Sequence, residues 1–144
     1  EITEKIEELK KKLRVYVAVD TLEYLKKGGR ISKSVAMIGG MLSIKPVVTV
    51  EDGVVAVLGK ARGSKNGNNL LVKEIQNAGG IDFSLPFWLG YTGINDALLQ
   101  KYIQDSEVLW KDYTEELPIC TIGATIGTHV GPNAVAVAFF GKEG

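Results

Sequence analysis

The sequence predicts an α+β fold, a mainly antiparallel sheet with flanking helices, and three observations carry that expectation. Short valine-rich runs alternate with amphipathic helical segments. An Asp52-Gly53 dipeptide stands between two such runs, the strongest hairpin signal in the chain. Two further apolar runs close the sequence on either side of Pro132. Helices mixed with hairpins argue against a doubly wound parallel sheet.

Glu1 to Leu13 places Ile2, Ile6, Leu9 and Leu13 at helical spacing among Glu and Lys, an amphipathic helix. Arg14 to Val19 reads as a buried strand, and Asp20 or Thr21 can cap a short helix, Leu22 to Lys27, which Gly28 and Gly29 end. A second helix is expected from Ser32 to about Leu42. Ile44 to Val50 reads as a strand near an edge because of Pro46, and Val54 to about Ala61 as its return. Gly63 to Gly67 is a polar break, followed by a helix through Leu70, Leu71 and Ile75 that stops at Gly79-Gly80. Phe83 to Tyr91 is expected to be extended. Ile94 to Gln104 reads as a helix with Leu98, Leu99 and Ile103 inward. Ile119 to Thr128 and Ala134 to Phe140 read as strands that pair about Pro132.

Composition narrows the function classes. The 144 residues are 45% hydrophobic, enough for one domain with a core, and 17 basic side chains balance 17 acidic ones. Such balance argues against nonspecific nucleic-acid binding, which draws its affinity from a basic surface. No apolar run approaches the length of a membrane span, and no signal peptide is seen, so the cytoplasm is the expected compartment. Cys120 can form no internal disulfide and is expected as a buried thiol among apolar neighbours.

Candidate chemistry gathers at three places. A strand reading of Gly123 to Gly131 puts three glycines, Thr125 and His129 on one face and Ile122, Ala124, Ile126, Thr128 and Val130 on the other. Glycine in a strand marks the close approach of a ligand or of another backbone, and the alternative is a packed helix beside an ordinary histidine. Arg30 follows a diglycine stop and precedes a new helix, a corner suited to an anion; the alternative is a solvated arginine after Lys26-Lys27. Lys60, Arg62 and Lys65 form a basic cluster without phosphate-loop spacing, either a solvated turn or a docking patch. No metal-spaced cluster or nucleophile motif accompanies the lone histidine, which favours binding over catalysis.

Val19 to Ile31, with its Leu22-x-x-Leu25-x-x-Gly28-Gly29-Arg30-Ile31 pattern, then Leu42 to Pro46, Asp52-Gly53, Lys60-Ala61-Arg62 and His129-Val130-Gly131-Pro132, resembles the DegV family over about Val15 to Gly141. That resemblance implies a fatty-acid-binding protein, a carrier subunit for a bacterial fatty acid kinase. It also implies a two-domain protein of which residues 14–144 form the C-terminal lipid-binding domain, with 1–13 as the helix leading out of an absent N-terminal α/β domain. Arg30 and His129 would then belong to the polar network around the carboxylate. Arg62 would lie on the surface that meets the kinase. The family's Gly-Pro-Gly is Gly131-Pro132-Asn133 here, and Asn is expected to tolerate the left-handed turn. The acyl chain is expected between the sheet and the helix Ser32 to Leu42, near Ile31, Val35, Ile38, Ile44, Thr125 and Gly127. Expected partners are a long-chain fatty acid, the kinase and the absent domain, with room for transient membrane contact. No nucleic acid and no cofactor are expected. The competing readings are a small-pocket enzyme with His129 as general acid or base, and a regulatory or interaction domain whose pocket is only core.

Overall fold

The computed structural model describes residues 1–32 and 43–142. In chain order the elements are α1 (Ile2–Lys12), β1 (Leu13–Ala18), α2 (Glu23–Lys27), β2 (Ile44–Glu51), β3 (Val54–Arg62), α3 (Ser64–Asn77), β4 (Trp88–Tyr91), α4 (Ala97–Asp105), α5 (Glu107–Trp110), β5 (Ile119–Thr121), α6 (Ala124–Val130) and β6 (Val135–Phe140). The strands form one sheet in the order β3-β2-β1-β6-β4-β5. Its neighbours are antiparallel except β4 and β5, which are parallel. The fold class is therefore α+β with a mixed, mainly antiparallel sheet.

Alternation along the strands divides the apolar side chains between two layers. Tyr16, Val47, Leu89, Val137 and Phe139 point to one face, where Leu71, Val72 and Ile75 of α3, Leu99 and Tyr102 of α4, and Leu109 and Trp110 of α5 cover them. Phe139 is completely buried and meets Tyr16 edge to face, with ring centroids 5.4 Å apart. Among the described residues the other face is covered less completely. There α2 and α6 contribute Leu22, Leu25 and Val130 to a smaller cluster with Val19, Val48 and Ala134. Asp52 and Gly53 both take positive φ, 50° and 79°, as the tight hairpin between β2 and β3 requires. Asn133 has φ 64°, so the left-handed turn after Pro132 is retained with Asn in place of Gly.

Several expectations are corrected. Ile119 to Thr128 is not one strand: β5 ends at Thr121, and residues from Ala124 form helix α6. The reason is that Ile126 and Val130 are four apart, which satisfies a helical face as well as an alternating one, while Gly123 and Gly131 flank the helix at its two ends. The last two strands consequently do not pair with each other, since β5 lies beside β4 and β6 lies between β1 and β4. By contrast, β2 with its Pro46 does lie near an edge, next to the edge strand β3. The polar stretch after Gly63 is the first turn of α3, where Gly67 packs closely on Lys45. Of Phe83 to Tyr91 only Trp88–Tyr91 is a strand. The helix expected from Ile94 starts at Ala97, after Asn95 accepts the Ala97 N–H at 3.0 Å, and Leu98 is exposed. Cys120 is exposed at the sheet edge and not buried. The helix expected over Ser32 to Leu42, with Val35 and Ile38, lies outside the described residues from position 33 onward.

The double-sided core yields a stability prediction. Phe139→Ala removes a ring with no exposed surface and should cost about 3–5 kcal/mol. Urea denaturation should report this as a lower midpoint at similar slope.

Candidate functional site

The incompletely covered face carries a row of side chains that crosses all six strands. Val57 pairs with Val48, Val48 with Val17, Val17 with Ala136, Ala136 with Gly90, and Gly90 with Cys120. Directly opposed residues share a face, so the register aligns these six as one apolar band perpendicular to the strands. A parallel row includes Val15, Ala138 and Trp88, again paired in sequence. Side-chain volume falls along the band from valine to alanine to glycine.

Two cavities lie on this band and share Val15, Val17, Ile126 and Val130, forming one trough beneath α6. The part over β1, β2 and β3 has a volume of about 400 Å³. The part over β6, β4 and β5 has about 190 Å³. Both are almost wholly apolar; Arg30, His129 and Thr49 are the polar residues at the larger part, and Thr49, paired with Tyr16, turns its side chain to the covered face. Thr49 Oγ1 is already engaged, donating to the Val15 carbonyl at 2.9 Å.

Arg30 and His129, 99 positions apart in sequence, thus line the same end of one trough. Arg30 is placed by the way α2 ends. Its N–H donates to the Leu25 carbonyl at 2.8 Å and the Gly29 N–H to the Lys26 carbonyl at 3.1 Å, with Gly29 at φ 70°. This is a Schellman ending, which carries the chain off the helix at Arg30 in a fixed direction. Thr21 Oγ1 accepts the Glu23 N–H at 3.2 Å at the opposite end of the helix.

His129 is placed by contact between α2 and α6. Gly28 has an ordinary helical φ of −77°, so its lack of a side chain serves space and not backbone freedom. A Cβ there would collide with His129 Nδ1. Gly131 serves both needs: its φ of 83° favours glycine, and a Cβ on it would collide with the Tyr24 ring of α2. The exit of α6 is clamped by buried Thr92, whose hydroxyl donates to the Gly131 carbonyl at 2.6 Å and accepts the Ala134 N–H at 3.0 Å. Nδ1 of His129 is buried and has no hydrogen-bond partner among the described residues. His129 lines the larger part of the trough, and an imidazole N–H can donate a hydrogen bond to an anion there.

The remaining candidates fall elsewhere. Thr125 is exposed on α6, and a Cβ on Gly127 would make ordinary contact with Thr92 at 3.8 Å. Neither lines the trough, because a helix and not a strand carries them. Ile31 packs against the smaller core cluster. Ile44 pairs with Arg62 at the end of the β2–β3 ladder remote from Val55, so it too is away from the trough. Arg62 is exposed, and its carbonyl accepts Asn66 Nδ2 at 2.9 Å. Val15, Val17, Ala136, Ala138, Gly90, Ile122 and Ile126 were not singled out as site residues. Their signal was a central strand apolar on both faces, Val15 and Val17 as well as Tyr16, with too few helices to cover both sides.

The family model for DegV, described as an uncharacterised protein family, matches residues 1–142. The chain belongs to the DegV family. A DegV domain-containing protein of Clostridium acetobutylicum is 33% identical over 138 residues, covering 95% of this chain and 47% of that protein. One from Caldanaerobacter subterraneus subsp. tengcongensis is 33% identical over 144 residues, covering 96% and 49%. The chain therefore spans about half the length of these DegV relatives. Among solved structures, a fatty-acid-binding DegV protein of Thermus thermophilus is 30% identical and superposes with a TM-score of 0.79, over 97% of this chain and 49% of that one. The Streptococcus pneumoniae fatty acid kinase B3 protein, loaded with linoleic acid, shares the DegV fold at a TM-score of 0.81 and 22% identity, over 96% and 48%.

The Gly28–His129 contact is testable by a double-mutant cycle. Gly28→Ala should cost about 1–3 kcal/mol through the forced shift of the imidazole. Combining it with His129→Ala should recover most of that cost, because the added methyl then has room. Additive losses in thermal or urea denaturation would show that the two residues do not press on each other.

Proposed function

We propose that this chain is the lipid-binding part of a fatty-acid carrier: the trough takes the acyl chain, and Arg30 with His129 holds the carboxylate. One observation carries this reading: among the described residues, the apolar band crossing the sheet has its cationic and imidazole groups, Arg30 and His129, at the larger part of the trough and none at the smaller part. An amphiphile with a single anionic head and a long unbranched tail matches that distribution. Each methylene removed from water contributes about 0.8 kcal/mol, so a long chain supplies most of the affinity and the head group mainly the orientation. A guanidinium can hold a carboxylate by two hydrogen bonds, and an imidazole N–H of His129 can add a third. The fatty acids described for the Thermus and Streptococcus relatives support the same assignment.

The reading extends to what surrounds this part. Ile2 and Ile6 of α1 are 78% and 49% exposed, and α1 buries no residue, so its apolar stripe is available to the half of the family's length that lies outside this chain. That half would also cover the open flank of the trough. Arg62, exposed and away from the trough, is assigned to docking with a fatty acid kinase, in the cytoplasm. The protein acts as a carrier, with the chemistry performed by the partner. No helix of the described residues is long and apolar enough to cross a membrane.

Organic extraction of the purified protein followed by mass spectrometry should recover a long-chain fatty acid in near-stoichiometric amount. Recovery of none, also after loading, would refute the reading. Arg30→Ala should weaken retention about tenfold, the lower end for a charge-assisted hydrogen bond at an exposed residue. Arg62→Ala should leave lipid content unchanged and slow phosphorylation of the bound acid. Lost lipid in that variant would move Arg62 from the docking surface to the ligand.

A further inference from the structure

The trough narrows toward the edge strand β5, where Gly90, Cys120, Ile122 and Trp88 line its smaller part. At β4 the floor residue is Gly90, and beyond it lies Cys120 on β5. The space that a side chain on Gly90 would fill is occupied by Ile122. A Cβ on Gly90 would meet Ile122 Cγ1 at 3.0 Å and Cδ1 at 3.4 Å. Ile122 follows β5 and is held in register there, because its N–H donates to the Tyr91 carbonyl at 2.9 Å. Beside it, Trp88 stands on the same face, one ladder position pair away along β4. Both side chains line the smaller part of the trough, whereas Arg30 and His129 line the larger part.

We propose that Ile122 is the stop for the methyl end of the ligand and sets the longest acyl chain the trough accepts. This rests on the fatty-acid reading above and adds to it a residue that measures length. The taper of the floor from Val17 to Ala136 to Gly90 admits the tail beneath α6, and Ile122, seated on the glycine, ends the passage. Removing the Ile122 side chain frees the space it fills above Gly90 and lengthens the passage toward the sheet edge by about one strand spacing. That spacing is about 4.8 Å. With C–C bonds of about 1.5 Å in a zigzag, each methylene advances roughly 1.3 Å, so one strand spacing corresponds to about 3–4 carbons.

The test uses the intact protein, delipidated and then loaded from an equimolar mixture of even, straight-chain saturated acids from lauric to behenic. Retained acids are quantified by mass spectrometry against protein. Ile122→Ala should move the upper limit of retained chain length by about 3–4 carbons toward longer acids, at unchanged total occupancy. Ile122→Val, a milder change that preserves packing, should shift the distribution in the same direction by a smaller amount, and decides the matter if the alanine variant does not fold. An unchanged length distribution at normal occupancy would overturn the proposal while leaving the fatty-acid reading intact. Absence of any retained acid in the wild-type protein would overturn both.

Discussion

The contact between α2 and α6 is the constraint on which the site depends. Each helix brings a large ring against a position without a side chain on the other: His129 against Gly28, and Tyr24 against Gly131. A methyl group at either glycine would separate the helices, and the charged end of the trough would lose its geometry. The Schellman ending of α2 and the Thr92 clamp on the exit of α6 then fix the two backbones from which Arg30 and His129 project. Polar groups from opposite ends of the sequence reach one place because two helices can approach closely there.

The sheet supplies the other half of the site through its unequal covering. One face is buried beneath α3, α4 and α5, with Phe139, Val137 and Leu89 fully enclosed. Among the described residues the opposite face has two short helices over it, α2 and α6, and Ile126 of α6 remains 61% exposed. An apolar face left open is costly for a protein in water, which is a reason to expect an apolar ligand or covering surface there. The gradient from valine to glycine along the transverse band gives that face a direction, with Arg30 and His129 at the valine side and Ile122 over the glycine.

Much was legible in the sequence. The β2–β3 hairpin follows from Asp52-Gly53, since few residue pairs adopt two consecutive positive φ angles cheaply. The helix stop before Arg30 follows from Gly29 for the same reason. Alternation in Val15 to Val19 and in Val135 to Phe140 marked strands, and Arg30 and His129 stood out through their glycine neighbours. Misreadings arose where short-range pattern is ambiguous. Ile122 to Val130 fits both an alternating and a four-residue repeat, and nothing local separates them. Gly28 looked like part of the helix stop, yet its φ is ordinary and its smallness answers to His129, a residue 101 positions away. Thr125 and Gly127 were drawn into the site by the strand reading and leave it with the helix.

Sequence alone determined what the chain's local chemistry determines: the class of fold, most elements, the hairpin and the helix stop; Arg30 and His129, singled out by their glycine neighbours, line one cavity. Tertiary structure decided which strands are neighbours, and therefore which residues share a row. Val48, Val17, Ala136 and Gly90 are unrelated by sequence spacing, and only their ladder register aligns them into a trough. Register and helix approach arise from burial summed over many distant contacts. No short segment carries that information, so the shape of the site could not be read before the sheet was assembled.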